Sequence, residues 1–125
     1  MARILIVDDD AAVRDILTLY FKGKGYTVTA VESGPLALAC FPVFRPDLVL
    51  LDILMPGMDG ITVLSQMKHL NPAACVIMLT GVAHDEIARE AIRRGADDYL
   101  TKPFELEQLE MQLSIHMLFH KKEDG

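Results

Sequence analysis

The sequence has no tryptophan, only two cysteines and few aromatic residues, which make up 6% of its 125 residues. Cys40 and Cys75 lie far apart in apolar segments and form no CxxC pair, so we expect two buried thiols in a reducing compartment. No apolar run approaches the length of a membrane span, and the chain enters a strand directly after Met1. We therefore expect a soluble, cytoplasmic protein.

Positive charge is also scarce, since 12 Lys and Arg residues face 18 Asp and Glu residues, a net charge of −6. This balance argues against binding of nucleic acid or an anionic membrane by the domain itself. Apolar residues make up 51% of the chain and charged residues 24%, an ordinary globular composition. The length and composition predict one domain over residues 1–120, followed by a short polar tail at 121–125.

Short apolar runs alternate with segments of helical period, the pattern of repeated strand–helix units. Strands are predicted at 2–7, 27–31, 47–51, 74–79 and 98–101. Helices are predicted from the cap Asp10 to Gly23 or Gly25, from the cap Ser33 to Pro42, from after Gly60 to before Pro72, from about His84 to Arg94 and from about Phe104 to about His120. Five strands and five helices in strict alternation predict a doubly wound α/β sandwich of three layers.

Polar side chains follow four of the apolar strands. Asp8 and Asp9 follow the first strand, Asp52 the third, Thr80 the fourth and Lys102 the fifth. In an open parallel sheet, ligands bind beyond the carboxyl ends of the strands. These residues therefore predict one site that combines carboxylates, a hydroxyl and an amine.

Three carboxylates brought together repel one another unless a cation neutralises them. Hard oxygen ligands favour Mg²⁺ (or Mn²⁺), so Asp8, Asp9 and Asp52 are the candidate metal ligands. Asp10 and Asp59 are better explained as helix caps. A carboxylate can also act as a nucleophile and form an aspartyl phosphate, and for this role we select Asp52, with Lys102 and Thr80 as partners of the phosphoryl oxygens. Whether the Lys102–Pro103 bond is cis stays open at this point.

The segments VDDD (7–10), LDILMPGMDG (51–60), LTG (79–81) and GADDYLTKPF (95–104) resemble the receiver domain of two-component response regulators. The resemblance covers nearly the whole chain and implies a flavodoxin-like (βα)5 fold with a parallel sheet of order 2-1-3-4-5. It implies a signalling switch, not an enzyme, that takes a phosphoryl group on Asp52 from a histidine kinase, a phosphotransfer protein or a small acyl phosphate.

Further roles follow from the same resemblance. Asp9, Asp52 and the backbone carbonyl of Leu54 would ligate Mg²⁺, and Asp8 would act through a metal-bound water. Thr80 and Lys102 would hold the phosphoryl oxygens. Tyr99 would be the aromatic switch that responds to Thr80 and changes the surface of helix four, strand five and helix five.

The residues two positions after Asp52 and two after Thr80 are Leu54 and Val82. Neither side chain can hydrogen-bond an attacking water, so we predict slow self-dephosphorylation.

Helix five has a second apolar stripe, opposite its core face. It consists of Met111, Ile115, Leu118 and Phe119. This stripe indicates a partner surface, and a homodimer through helix four, strand five and helix five and a contact with an output domain are both open.

Three other functions compete with this interpretation. A haloacid-dehalogenase-type phosphatase needs a second acid two residues after the nucleophile, where this chain has Leu54. A flavin mononucleotide carrier needs a phosphate loop after the first strand, where the Asp8–Asp10 run would repel phosphate. A degenerate receiver that acts only as a phosphorylation-independent binding module is the remaining alternative, but all five site residues are present.

Overall fold

The structure is a computed structural model that describes residues 2–81 and 85–124, with side chains as far as residue 119. Its strands are β1 (Arg3–Val7), β2 (Thr27–Val31), β3 (Leu48–Asp52), β4 (Val76–Thr80) and β5 (Asp98–Thr101). Its helices are α1 (Ala11–Gly23), α2 (Gly34–Phe44), α3 (Gly60–Leu70), α4 (Asp85–Arg93) and α5 (Leu106–Asp124). Within the described residues no helix is both long and apolar enough to cross a bilayer.

All five strands are parallel and form one sheet in the order β2-β1-β3-β4-β5. This confirms the fold class and the strand order. The order reverses between β1 and β3, which pair with Val7 opposite Leu51. The residues that follow these two strands therefore emerge side by side at the switch point of the sheet.

Helices cover both faces of the sheet, which produces the three predicted layers. Alternate residues of β1 serve opposite faces, since Leu5 packs with α2, α3 and α4, whereas Ile4 packs with α1 and α5. Strands β3 and β4 are buried along their whole length, as expected of strands that are covered on both sides. The sheet is therefore packed between apolar cores on both faces, and its carboxyl edge is where the polar residues emerge.

The predicted caps of the first three helices are confirmed. The carboxylate of Asp10 accepts a hydrogen bond from the Ala12 amide, and that of Asp59 accepts one from the Thr62 amide. The Ser33 hydroxyl accepts one from the Leu36 amide. These bonds satisfy amides that have no partner inside the helix, so each helix begins where its capping residue stands.

The predicted end of the second helix at Pro42 is wrong. Pro42 lies inside α2, which continues to Phe44 and ends at Arg45, a residue in the left-handed region with a φ of 53°. Both Phe41 and Phe44 pack against the core, and the Arg3 side chain donates a hydrogen bond to the Phe44 carbonyl over 2.7 Å. Burial of the two rings offsets the one helix hydrogen bond that the proline cannot make.

Two other helix limits differ from the prediction or cannot be compared with it. Helix α5 continues to Asp124, beyond the expected end at His120 and into the segment expected to be a tail. The predicted start of the fourth helix at His84 lies outside the described residues, as does Val82.

Candidate phosphoryl and metal site

The carboxyl edge of the sheet brings the predicted site residues together. Asp52 and Thr80 are the last residues of β3 and β4, one position earlier relative to the strand ends than the sequence suggested. Asp8 and Asp9 follow β1, and Lys102 follows β5, with its amide bonded to the Thr80 carbonyl over 2.6 Å. Asp8, Asp52 and Thr80 are all buried.

Asp8, Asp9 and Asp52 form an acidic cluster, in which one carboxylate oxygen from each residue lies within 4.8 Å of the other two. Asp9 is exposed to solvent, whereas Asp8 is completely buried. Carboxylate oxygens at this spacing suit a hard divalent cation that keeps some of its water. The donor set therefore fits the predicted Mg²⁺, with Asp9 on the solvent side.

Lys102 is the positive partner of this cluster. Its Nζ lies 2.8 Å from Oδ2 of Asp8 and 3.7 Å from Oδ2 of Asp52. Burial alone would lower the pKa of Lys102, but the hydrogen bond to Asp8 and the charges of Asp52 and Asp8 outweigh burial and raise this pKa. The amine therefore stays protonated and holds a positive charge beside Asp52.

Among the acids of the cluster, Asp52 is the one whose ionisation is clearly shifted. Burial raises the pKa of Asp52 to about 6, the negative charge of Asp8 adds to the rise, and Lys102 opposes it. Its Oδ1 accepts a hydrogen bond from the Leu54 amide over 3.3 Å, which orients the group. A buried carboxylate whose pKa is raised by burial and by a neighbouring charge is a typical functional candidate.

Two further hydrogen bonds fix Asp8, and the second of them has no counterpart in the sequence pattern. Its Oδ1 accepts a hydrogen bond from the Asp10 amide over 2.9 Å. The guanidinium of Arg14, one turn into α1, donates to the Asp8 carbonyl over 2.8 Å. Nothing in the sequence around Arg14 indicates that its side chain bonds to the backbone of Asp8.

Gly60 is the second residue that the sequence did not identify. A Cβ at this position would lie 2.4 Å from the Asp52 carbonyl oxygen and 2.6 Å from Cα of Ile53. The Gly60 amide donates to the Ile53 carbonyl over 2.7 Å. The loop from β3 to α3 thus folds back onto the backbone of Asp52, and only glycine allows this approach.

The remaining predicted positions lie around this centre. The Thr80 hydroxyl donates to the Gly81 carbonyl over 3.3 Å, and the Lys102–Pro103 bond, left open by the sequence, is cis. Tyr99 is on β5, three residues before the lysine, with 39% of its surface exposed. Leu54 is half exposed, so an apolar side chain faces solvent where a haloacid-dehalogenase-type phosphatase would have its second acid.

Comparison with protein-family models supplies the identification. Residues 4–114 match the response regulator receiver domain. The chain belongs to this family. It is therefore a receiver domain of two-component signal transduction, and nothing in its site or among its relatives favours the alternative of a degenerate receiver.

Two curated relatives of this receiver domain are longer regulators. Over 123 residues it is 42% identical to the regulatory protein AtoC of Escherichia coli, covering 97% of this chain and 27% of AtoC. It is 38% identical over 107 residues to the DNA-binding response regulator MtrA of Mycobacterium tuberculosis, covering 86% of this chain and 46% of MtrA. The chain thus spans about a quarter to a half of the length of these relatives.

Solved structures show the same fold. The CheY-like receiver domain protein of Methanospirillum hungatei superposes with a TM-score of 0.94 at 32% identity, covering 98% of both chains. NtrX of Brucella abortus in complex with ADP gives a TM-score of 0.94 at 33% identity, covering 99% of this chain and 29% of NtrX.

Proposed function

We propose that this receiver domain accepts a phosphoryl group on Asp52 in the cytoplasm, from the phosphohistidine of a sensor histidine kinase or a phosphotransfer protein, or from a small acyl phosphate. The single observation that carries the proposal is the position of Asp52, buried between the other two acids and the amine of Lys102. Receiver domains of response regulators accept phosphoryl groups from histidine kinases.

The transfer makes one bond and breaks one. An oxygen of the ionised Asp52 carboxylate forms a bond to phosphorus, while the bond from phosphorus to the donor nitrogen or acyl oxygen breaks and its electron pair leaves with the donor. The Leu54 amide donates to Oδ1 of Asp52, so the attacking oxygen is Oδ2, which accepts no hydrogen bond among the described residues and lies 3.7 Å from the Lys102 amine. Lys102 and the Thr80 hydroxyl, at the same edge, pair with the phosphoryl oxygens.

Asp9, Asp52 and the Leu54 carbonyl, with Asp8 behind them, would hold Mg²⁺ or Mn²⁺. Bound there, the cation would neutralise the acids and the charge of the incoming phosphoryl group. Lys102 supplies positive charge to the same centre but is one charge against three, so the chain alone leaves an excess of negative charge.

The conformational response involves Tyr99. Phosphorylation adds about two negative charges near Thr80 and Lys102. Movement of Thr80 towards the phosphoryl group leaves space that the Tyr99 ring enters, and this change alters the surface of α4, β5 and α5. In this proposal the surface serves as a phosphorylation-dependent contact, with a second copy of the chain or with an output domain, and the domain itself is not an enzyme of metabolism.

The exposed stripe on α5 supports a partner at this surface. Met111, Ile115, Leu118 and Phe119 are each about half or more exposed, as predicted, while Leu109 and Leu113 are buried on the opposite side. Light scattering with and without acetyl phosphate tests the homodimer, and a strict monomer in both conditions would exclude it.

Intact mass after incubation with acetyl phosphate and Mg²⁺ tests the phosphoryl transfer. We expect one added phosphoryl group in the native chain and in Asp15→Asn, which changes an exposed acid on α1 outside the site. Asp52→Asn should gain none, and chelation of the metal should abolish the adduct. An adduct of equal yield in Asp52→Asn would show that the acceptor is another residue.

Metal binding has its own test. Because a ligand that binds only the folded state raises its stability, Mg²⁺ should raise the thermal midpoint of the native chain. Asp9→Asn should lose most of this rise, since Asp9 is exposed and its removal disturbs little else. A rise of the same size in Asp9→Asn and in the native chain would exclude Asp9 as a ligand.

A further inference from the structure

Three side chains outside the phosphoryl site join β5 to α5. The Asp98 carboxylate, at the start of β5, accepts hydrogen bonds on Oδ2 from Gln112 Nε2 over 3.0 Å. His116, one turn further along α5, places its Nε2 2.9 Å from the same oxygen. The other Asp98 oxygen accepts a bond from the Tyr99 amide over 2.8 Å. We name these three side chains, Asp98, Gln112 and His116, the β5–α5 latch.

The latch contacts the backbone of Tyr99, the proposed switch residue, at both its amide and its carbonyl. Its carboxylate binds the amide of Tyr99, and Gln112 Nε2 lies 3.5 Å from the Tyr99 carbonyl oxygen. A groove of about 550 Å³ lies between the strand and the helix, lined by the latch residues Asp98 and Gln112 and by Tyr99, Gln108 and Met111. Tyr99 and two of the three latch residues therefore border the same space.

The chemistry of the latch indicates an ionised carboxylate as its centre. Burial alone would raise the pKa of Asp98, but hydrogen bonds from Gln112, His116 and the Tyr99 amide outweigh burial and lower it. Hydrogen bonds to an ionised group are stronger than those between neutral groups. Gln112 Oε1 is buried and has no partner among the described residues, so the bond to Asp98 determines how this amide is oriented.

We propose that the β5–α5 latch is a set of positioning residues that stabilises the outward position of the Tyr99 ring and so opposes the switch. The inference rests on the proposed function, in which Tyr99 moves inward. A contact shifts an equilibrium only by the difference in its strength between the two states. The latch is formed here while Tyr99 is 39% exposed and lines the groove. In this proposal, inward movement of the ring repacks α5 against β5 and weakens the latch contacts.

The exposure of the Tyr99 ring, measured without any phosphoryl donor, tests the proposal. The chain has three tyrosines, so 3-fluorotyrosine labelling gives three ¹⁹F lines, and Tyr99→Phe assigns the line of interest. Broadening by a soluble gadolinium chelate reports exposure, with Tyr20 and Tyr26, which pack against the core, as internal references.

We expect Gln112→Ala to raise the ratio of inward to outward ring about tenfold, as for loss of a hydrogen bond to a charged group. The Tyr99 line should then broaden less, and His116→Ala should act in the same direction. Gln66→Ala and His69→Ala, which change exposed residues of α3, should leave the broadening unchanged. Gln112→Arg restores a donor to Asp98 and should restore the native broadening.

If the latch only stabilised the fold, its loss would change the thermal midpoint and not the exposure of the Tyr99 ring. If Gln112→Ala and His116→Ala lower the thermal midpoint but leave the Tyr99 broadening at the native value, the latch does not act on the switch and the proposal is overturned. Intact mass with acetyl phosphate on the same samples keeps the two proposals separate. A native chain that takes up no phosphate, yet exposes Tyr99 in a latch-dependent way, would refute the phosphoryl transfer and support the latch.

Discussion

At the scale of single residues, the distances from the Lys102 amine to Asp8 and to Asp52 help to determine the pKa of Asp52. Asp8 has the closer contact to the amine, at 2.8 Å, so Asp52 receives only part of the compensation at 3.7 Å. Burial and the neighbouring acid therefore dominate, which is why the pKa of Asp52 rises to about 6. Without a metal ion, the ionised Asp52 carboxylate lowers the stability of the fold. A bound cation would remove this destabilisation.

The first prediction concerns this cost. In metal-free buffer at pH 7.5 we expect Asp52→Asn to raise the free energy of unfolding by about 1–2 kcal/mol. The pKa of Asp52 is higher in the folded state than in the unfolded state, so between these two values the folded state binds more protons. The stability of the folded state therefore falls as pH rises from about 4 to about 6. Urea unfolding should show the gain at pH 7.5 and little gain near pH 4. A gain independent of pH would contradict this origin.

The second prediction concerns Leu54, whose half-exposed apolar side chain stands beside Asp52. Replacement by asparagine supplies a group that hydrogen-bonds an attacking water, so the aspartyl phosphate of Leu54→Asn should decay several-fold faster. The decay is followed by intact mass after removal of acetyl phosphate. Leu54→Met keeps the position apolar and is the control. Equal lifetimes in the native chain and Leu54→Asn would exclude this explanation of slow decay.

At the scale of elements, helix starts were easier to predict than helix ends. A capping side chain such as Asp10 or Asp59 is local information, because it bonds to an amide two or three residues further on. The end of α2 depends instead on what Phe41 and Phe44 contact across the fold. The same holds for the loop after β3, where the contact between Gly60 and the Asp52 backbone joins the ends of two elements.

The third prediction tests that loop. Gly60→Ala places a Cβ against the backbone of Asp52 and Ile53, so we expect it to destabilise the fold by about 1–3 kcal/mol. Displacement of Asp52 should also slow phosphorylation by acetyl phosphate. Gly23→Ala is the matched control, because a Cβ at the end of α1 meets nothing within 4 Å. It should change stability by less than about 1 kcal/mol, in the favourable direction. Similar losses in both variants would exclude a role for the close approach.

At the scale of the whole molecule, the apolar cores on the two faces of the sheet decide which side chains solvent reaches. Cys75 lies just before β4, almost completely buried, and burial, followed by the charge of Asp97, raises its thiol pKa to about 12. Cys40 is only half buried in α2. Contrary to the expectation of two buried thiols, the two cysteines therefore differ in access to solvent.

The fourth prediction uses this difference. Because burial raises its pKa, the Cys75 thiol stays almost wholly protonated at pH 8 in the folded state, and access to it requires opening of the core. In Cys40→Ser, modification by excess thiol reagent should therefore become independent of reagent concentration and follow global unfolding. Cys75→Ser, which retains Cys40, should react at a rate proportional to reagent concentration. A fast reaction of Cys75 that is first order in reagent would show that β4 opens locally.

The sequence by itself determined the alternation of strands and helices, the first three helix caps and the acids, threonine and lysine that end the strands. These features are local, because periodicity and capping depend on neighbours along the chain. The motifs also determined the family. Only the tertiary structure decided that Lys102 pairs most closely with Asp8, 94 residues away, that Gly60 must lie against Asp52, and that Asp98 binds Gln112 and His116. Such pairs leave no pattern along the sequence, since they form only where the packing of strands and helices brings distant side chains together.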